Sequence, residues 1–156
     1  PVTHVARALL YLDHTDGDIH FWISTPGGPS DEMFGLYDLV TTRRNRVITT
    51  GFGVVASAGV LLLAAGDERK VTPNCWLMSH AESAYFEFDD TWTAEQRLQW
   101  QKRCELRWAE LMHKCTGFRT ARWWYDLHRG RRREVWMDPA EMQEHGIIDT
   151  VMEETS

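Results

Sequence analysis

The stretch Gly53-Val54-Val55-Ala56-Ser57-Ala58-Gly59 decides the fold, because an apolar strand pattern changes there into an apolar helix pattern. The predicted strand covers residues 47–55, and the predicted helix covers residues 56–65 and stops at Gly66. Ser57 stands at the junction between the two elements. The sequence therefore predicts a strand-to-helix unit with a hydroxyl group at its turn.

The same order of strand and helix occurs on both sides of this unit. Residues 19–23 predict a buried strand, and residues 75–79 predict another. Between the first two strands, Pro29-Ser30-Asp31-Glu32 starts a helix with acidic residues in its first turn. One face of that helix carries Met33, Leu36, Tyr37 and Val40. Strands that alternate with helices over the first 80 residues predict an α/β fold with a parallel sheet of βαβ units.

A long helix is predicted after the third strand. The motif Thr93-x-x-Gln96 resembles a capping box at its start, and Gly117 marks its end. Its apolar stripe comprises Trp100, Cys104, Trp108, Leu111, Met112 and Cys115. The chain holds eight tryptophans, which indicates that some of them pack against partners.

Shorter elements complete the prediction. Residues 5–12 have helical spacing, residues 84–88 alternate like an exposed strand, and residues 123–127 predict a short helix. Asp138-Pro139-Ala140-Glu141 caps a last helix that ends at Gly146. With no repeat and no linker, residues 1–156 are predicted to form a single domain.

Composition limits the class of protein. A net charge of -6 argues against a nucleic-acid partner, and the basic run at 129–133 is typical of a solvated turn. Three cysteines without a Cys-x-x-Cys pair indicate a reducing, cytoplasmic location with the thiols in the core. The sequence has no signal peptide and no apolar stretch of about 18 residues, so no membrane span is predicted.

Three polar or glycine-rich positions follow directly after predicted strands. Gly27 and Gly28 follow the first strand, Ser57 the second and His80 the third. Since strand ends of a parallel sheet meet at one edge, we expect one crevice to hold them. A serine needs a base within hydrogen-bond reach, which His80 can supply, and the amides of Gly28 and Ala58 can face one oxyanion. The pattern predicts an acyl-transfer site.

Each of these residues also has an ordinary interpretation when taken alone. Ser57 between alanines is typical of a helix cap or of a small packing residue, and His80 of a hydrogen-bonded structural histidine. Pro26-Gly27-Gly28 is typical of a turn. The order of all three along the chain is what favours the catalytic interpretation.

Over residues 5–152, the chain resembles the caseinolytic protease ClpP family of self-compartmentalised serine peptidases. The segments that carry the resemblance are 23–28, 53–59, 62–66, 73–80, 111–117, 134–137 and 144–149. The resemblance implies a ClpP/crotonase-like core with a protruding handle helix. It implies that Ser57 is the nucleophile, that His80 is the general base, and that the Gly28 and Ala58 amides form the oxyanion hole, with no cofactor and no metal.

The resemblance also implies an architecture and partners. A head would comprise residues 1–83 and 117–156, and a handle of strand and helix about 84–116. The handle would stack two homo-oligomeric rings of seven subunits into a tetradecamer, with unfolded polypeptide as substrate and an AAA+ unfoldase as partner. The N-terminal axial segment through which the unfoldase engages the pore is not found in this sequence.

The third member of the catalytic triad departs from the family pattern. Where the family has an aspartate two residues before an aromatic residue, this chain has Glu134. The segment from Gly117 to Glu134 is about four residues longer than the family's, so Asp126 and Asp138 stay alternatives. At 84–90 the chain has Tyr and Phe where the family has glycines.

Two other functions stay open. Crotonases of the same fold superfamily hold a thioester enolate with a comparable pair of amides, but they do not need Ser57 and His80. A non-catalytic subunit of a ring or scaffold would tolerate Glu134. A coenzyme A assay and a serine-directed fluorophosphonate label separate these alternatives.

Overall fold

One sheet organises the protein in a computed structural model that describes residues 2–81, 90–129 and 134–153. Within these residues the strands are β1 (Ile19–Thr25), β2 (Val47–Ala56), β3 (Glu68–Val71), β4 (Trp76–His80), β5 (Glu134–Met137) and β6 (Thr150–Val151). The helices are α1 (Val2–Leu12), α2 (Ser30–Thr42), α3 (Ala58–Ala64), α4 (Thr91–Thr116), α5 (Ala121–Asp126) and α6 (Pro139–Glu144). The strand pairs are parallel except β4 with β5, so the predicted α/β class is confirmed.

The central strand β2 pairs with three neighbours. Along one edge it pairs with β1, and along the other it pairs first with β3 and then with β4. Parallel strands need crossover connections, which α2 provides between β1 and β2 and α3 between β2 and β3. Because Ala56 still pairs with Met78 of β4, the strand continues through it, and the helix begins at Ala58 rather than at residue 56 as predicted.

Two helices bury their apolar residues as their sequences require. The four residues predicted for the inner face of α2 are the ones that are buried: Met33, Leu36, Tyr37 and Val40. Helix α3 has six of its seven residues buried, from Gly59 to Ala64, which is typical of a helix covered on several sides. A Cβ at Gly59 would lie 2.4 Å from Cγ2 of Thr25, so glycine allows α3 to approach β1 this closely.

The start of α4 differs from the prediction. Its N-cap is Asp90, whose carboxylate accepts hydrogen bonds from the amides of Trp92 (3.0 Å) and Thr93 (3.1 Å). The capping box predicted at Thr93 is wrong, because Thr93 lies inside the helix and its hydroxyl donates to Asp90 at 2.7 Å. Gly117 ends the helix in the left-handed conformation, as predicted.

The apolar stripe of α4 is buried in only part of its length. Its buried residues are Cys104, Ala109, Leu111 and Met112, all in the second half of the helix. Trp100, predicted to lie in the stripe, is 51% exposed because the first half of α4 extends beyond the core. Of the three cysteines, Cys75 and Cys104 are buried, and Cys115 is partly buried.

Two strands were not predicted. β3 carries Glu68, Arg69 and Lys70, a charged sequence without strand periodicity, and β6 has only two residues. Tertiary contacts hold them, because Arg69 pairs with Asp149 at 2.5 Å next to the backbone ladder between β3 and β6. The strand predicted at 84–88 lies outside the described residues.

Only Ile19 and Ile23 of β1 are buried, with Phe21 partly buried between them, so the strand is not buried throughout as predicted. Large apolar side chains are exposed on neighbouring strands, and Trp22 lies 6.1 Å from Phe52 between ring centroids. This exposed group, here called the aromatic face, comprises Trp22, Phe52, Val54, Trp76 and Trp136. In the described ranges, no helix has the length and apolar character needed to span a membrane.

Candidate active site

Ser57 forms the turn between β2 and α3 and has a strained backbone, with φ 55° and ψ −119°. Among the described residues it is the only one with positive φ that is not a glycine. Such conformations cost about 1–3 kcal/mol and persist mainly at functional sites. A strained strand-to-helix turn also exposes the nucleophilic serine of α/β-hydrolases. The Ser57 amide donates to the Met78 carbonyl at 2.7 Å, which fastens the turn to β4.

Gly27 lies directly against the Ser57 side chain. A Cβ at Gly27 would be 2.5 Å from Ser57 Cβ and 3.0 Å from Ser57 Oγ, and the residue has φ 105°. Only glycine fits both the space and the dihedral. Gly28 has neither constraint, so of these two residues Gly27 alone requires glycine for its backbone conformation.

His80 is the last residue of β4, and its ring faces a backbone carbonyl. Nδ1 donates a hydrogen bond to the Ala81 oxygen at 2.5 Å. Because a carbonyl can only accept, Nδ1 carries the proton, and Nε2 of the neutral ring is left as the basic nitrogen. No hydrogen bond joins the Ser57 hydroxyl to His80 within the described part of the chain. Such bonds are often long in unliganded enzymes and tighten with substrate.

Four of the predicted site residues, Gly28, Ser57, Ala58 and His80, line one cleft of about 650 Å³. This volume lies in the range of about 300–1,000 Å³ that is usual for ligand sites. The walls also include the apolar and aromatic residues Met33, Leu98, Trp108, Trp124 and Tyr125. The described residues hold no group of three or more His, Cys, Asp or Glu side chains arranged for a metal ion.

Both predicted oxyanion donors lie where the chain passes from a strand into a helix. Ala58 is the first residue of α3, so its amide has no acceptor within that helix. Gly28 lies between β1 and α2, and its amide N–H donates no hydrogen bond within the described part of the chain. The structure brings these amides to the same cleft as Ser57, and their role in holding an oxyanion stays a prediction.

Glu134 is placed beside His80 by strand pairing. It is the first residue of β5 and lies directly opposite His80 in the antiparallel ladder. Side chains that face each other in this way have Cβ atoms about 4.5–5.5 Å apart. The Glu134 carboxylate accepts a hydrogen bond from the Trp136 indole at 3.3 Å rather than from His80. The acid is therefore next to the imidazole but directed along its own strand.

The two alternative acids are engaged elsewhere. Asp126 pairs with Arg122 at 2.5 Å and with Arg129 at 3.9 Å. Asp138 is the N-cap of α6, as predicted, and accepts from the Glu141 amide at 2.9 Å; the structure adds the reciprocal bond from the Asp138 amide to the Glu141 carboxylate at 3.0 Å. Neither carboxylate lines the cleft.

A histidine that the sequence did not indicate also lines the cleft. Nε2 of His128 lies 2.8 Å from Oγ of Ser79, the residue before His80. Burial, and then the charge of His80, lower the pKa of His128 to about 4. His128 lies in a segment without strand or helix periodicity, so the sequence did not mark it as a site residue. The aromatic run Trp123-Trp124-Tyr125 before it could have indicated that this segment packs against the core.

Comparison with known protein families gives one match that covers almost the whole chain. The model of the Clp protease family matches residues 2–155. A structure of a ClpP1 mutant from Listeria monocytogenes is similar with a TM-score of 0.84 and 23% identity, covering 98% of this chain and 84% of that one. At this identity the likeness supports the fold.

Two curated relatives are described as proteolytic subunits of the ATP-dependent Clp protease. An ATP-dependent Clp protease proteolytic subunit 3 from Streptomyces avermitilis is 33% identical over 94% of this chain and 66% of its own length. An ATP-dependent Clp protease proteolytic subunit from Lactococcus lactis subsp. cremoris is 30% identical over 97% of this chain and 77% of its own length. The chain thus spans about two thirds to three quarters of these relatives.

Proposed function

The chain belongs to the Clp protease family, and from this premise we propose that it is an endopeptidase that cleaves unfolded polypeptides with Ser57 as its nucleophile. Its activity class is that of a serine-type peptidase. The observation that carries the proposal is the strained turn at Ser57, whose side chain lies in one cleft with His80. No cofactor is needed for this chemistry.

The reaction follows from the tautomer of His80. Nε2 takes the proton of Ser57 Oγ while Oγ attacks the carbonyl carbon of the peptide bond. The amides of Gly28 and Ala58 stabilise the negative oxygen that forms. The imidazolium of His80 then gives its proton to the leaving amine. Water repeats the sequence on the acyl-enzyme and restores the free Ser57 hydroxyl.

Glu134 serves as the acid that orients His80. Its position opposite His80 on β5 supports this role, and the role requires the Glu134 side chain to rotate from the Trp136 indole to Nδ1 of His80. The carboxylate would then replace the Ala81 carbonyl as the acceptor of the Nδ1 proton and stabilise the imidazolium. Its extra methylene relative to aspartate suits a residue on the neighbouring strand.

We extend the proposal to assembly. The relatives are described as proteolytic subunits of an ATP-dependent protease, and this chain would form a homo-oligomer of seven-membered rings paired into a tetradecamer. The first half of α4 supports a contact role, because it exposes Trp92, Leu98 and Trp100. The handle would comprise residues 84–116, and the head 1–83 and 117–156.

An AAA+ unfoldase is the partner proposed for this assembly. Large apolar surfaces that stay exposed mark sites of protein interaction. The aromatic face provides such a surface on the sheet. It lies apart from the exposed half of α4, so the two surfaces can serve different contacts.

The test of the nucleophile uses a fluorophosphonate label and a fluorogenic peptide. Ser57→Ala is expected to abolish labelling and to lower peptide hydrolysis by about 10³-fold or more. Ser24→Ala is the matched control, because Ser24 is an exposed serine of β1 outside the cleft. Retention of full hydrolysis by Ser57→Ala would refute the proposed function.

The same experiment separates the other interpretations. Turnover of a coenzyme A thioester that survives Ser57→Ala would indicate a crotonase-type enzyme. An oligomer that neither labels nor hydrolyses peptide would indicate a scaffold subunit.

A further inference from the structure

The end of β4 connects the parts of the proposed site through consecutive residues. The Met78 carbonyl accepts from the Ser57 amide at 2.7 Å, and His80 donates to the Ala81 carbonyl at 2.5 Å. Between them, the Ser79 hydroxyl pairs with Nε2 of His128 at 2.8 Å. Ser79 is 2% exposed, so this pair replaces water as its partner. A shift of this short segment would move both the nucleophile and the base.

His128 is itself held against the opposite wall of the cleft. Its ring lies 5.5 Å from the Trp108 ring of α4. The next residue, Arg129, pairs with Glu105 of α4 at 3.4 Å and stacks over the Tyr125 ring at 3.8 Å. The contact between His128 and Ser79 therefore joins the wall formed by α4 and α5 to the strand that carries His80.

The charge state of His128 suits a place beside a general base. Burial, and next the positive charge of His80, hold the pKa of His128 at about 4. His128 is therefore neutral at pH 7 and adds no charge beside the proton that His80 accepts from Ser57. A neutral imidazole next to the forming imidazolium also avoids the repulsion that a lysine or arginine would cause.

We propose that His128 is a positioning residue of the catalytic centre, which holds the end of β4, and with it His80, through the Ser79 hydroxyl. The inference rests on the proposed function of Ser57 and His80. It adds a second imidazole that touches neither the substrate nor the reacting atoms.

The test measures the rate at which a fluorophosphonate modifies Ser57, together with kcat and KM for a peptide. His128→Ala is expected to slow labelling and to lower kcat by about 10-fold or more with little change in KM, because small misplacements of a catalytic group reduce rates strongly. His128→Gln is expected to recover most of the rate, since the glutamine amide reaches the position of Nε2 and can bond to Ser79. A rate for His128→Ala equal to that of the parent chain would overturn the proposal.

A double-mutant cycle identifies the route of the effect. Ser79→Ala alone is expected to slow labelling about as much as His128→Ala, and the double variant is expected to be no slower than either. Additive losses would show that the two residues act separately and would contradict the proposal. If His128→Ala does not fold, the test uses Ser79→Ala and His128→Gln instead. Ser79→Ala is then expected to slow labelling while His128→Gln keeps most of the rate, and a parental rate for Ser79→Ala would contradict the proposal.

His145→Gln is the matched control. His145 also has a pKa lowered by burial and then by Arg119, and its ring lies 4.9 Å from Trp123, but it does not line the cleft. His145→Gln should be labelled at the parent rate. Equal slowing in His145→Gln and His128→Ala would mean that the loss of any packed histidine slows labelling, which would contradict the proposal. Absence of labelling in the parent chain refutes the nucleophile and not the position of His128.

One further measurement is independent of activity. In Ser57→Ala, the NMR signal of the His128 ring should not titrate between about pH 7.5 and 5.5, because burial and then the charge of His80 disfavour its charged form. A midpoint near the value of about 6.5 for a free histidine would overturn the proposed placement.

Discussion

The orienting role proposed for Glu134 requires its carboxylate to replace the Ala81 carbonyl as the acceptor of the His80 proton. In the structure the Ala81 carbonyl accepts the hydrogen bond from His80 Nδ1, and the Glu134 carboxylate accepts one from the Trp136 indole. If Glu134 takes over when substrate is bound, Glu134→Gln is expected to lower peptide hydrolysis at least about 10²-fold without changing the oligomer.

The matched control for this substitution is Asp126→Asn, which removes a carboxylate that pairs with Arg122 and Arg129 at the surface. It is expected to keep near parental activity, since exposed ion pairs contribute no more than about 1 kcal/mol. Loss of activity in Asp126→Asn but not in Glu134→Gln would indicate that Asp126, rather than Glu134, orients His80. Parental activity in both would leave Asp138 as the next acid to test.

Two partly buried histidines make the fold sensitive to acid. Folding lowers the pKa of His128 to about 4 and also lowers that of His145, in both cases mainly by burial. Between these values and the unfolded value of about 6.5, the unfolded chain binds more protons, so the free energy of unfolding rises with pH. Stability is therefore complete above about pH 6.5 and is lost as pH falls towards 4.

Urea unfolding at a series of pH values measures this dependence. His128→Gln should flatten the curve between about pH 6.5 and 4, whereas His4→Gln, at an exposed position of α1, should follow the parent. A curve for His128→Gln as steep as the parent's would contradict the assignment.

At the scale of elements, the start of α4 depends on its N-cap. Its first half has no buried residue, so the two amides bonded to Asp90 have no tertiary support nearby. Asp90→Ala is expected to lower stability by about 1 kcal/mol and to speed amide exchange in the first turn. Asp16→Ala, in an exposed turn, is the control, and equal exchange in both variants would disprove a capping role.

The elements that the sequence predicts are those whose pattern is local. The inner face of α2, the turn at Ser57 and the N-cap at Asp138 each depend on residues within a few positions of one another. The strand β3 could not be predicted in this way, because its charged residues become a strand only through pairing with β2 and β6. Asp90 was missed because Thr93 offered an equally plausible local cap.

The same distinction applies to the site. Gly27, Ser57 and His80 could be found because each lies at the end of a strand or just after it, and parallel strand ends meet at one edge. The bond between His128 and Ser79 joins residues 49 positions apart, and no local pattern announces it. The partner of Glu134 depends on a side-chain rotation between Trp136 and His80, which strand register alone does not determine.

At the scale of the whole molecule, the exposed half of α4 is expected to form the main contact between rings. Light scattering should give a mass far above that of one chain, and Trp100→Glu should reduce it by placing a charge in an apolar contact. Trp76→Glu, on the aromatic face, is the comparison. A monomeric parent would refute the assembly, and a loss of mass only in Trp76→Glu would move the ring contact to the sheet.

The backbone of Ser57 also has a consequence for evolution. A positive-φ conformation of this kind costs a residue with a side chain about 1–3 kcal/mol, whereas the extra freedom of an unfolded glycine costs about 0.5–1 kcal/mol. Glycine at position 57, with the same φ of 55°, is therefore expected to leave the protein as stable or more stable, but without the proposed nucleophile. If Ser57 is the nucleophile, the chain keeps a reactive hydroxyl at a cost in stability that selection for stability alone would remove.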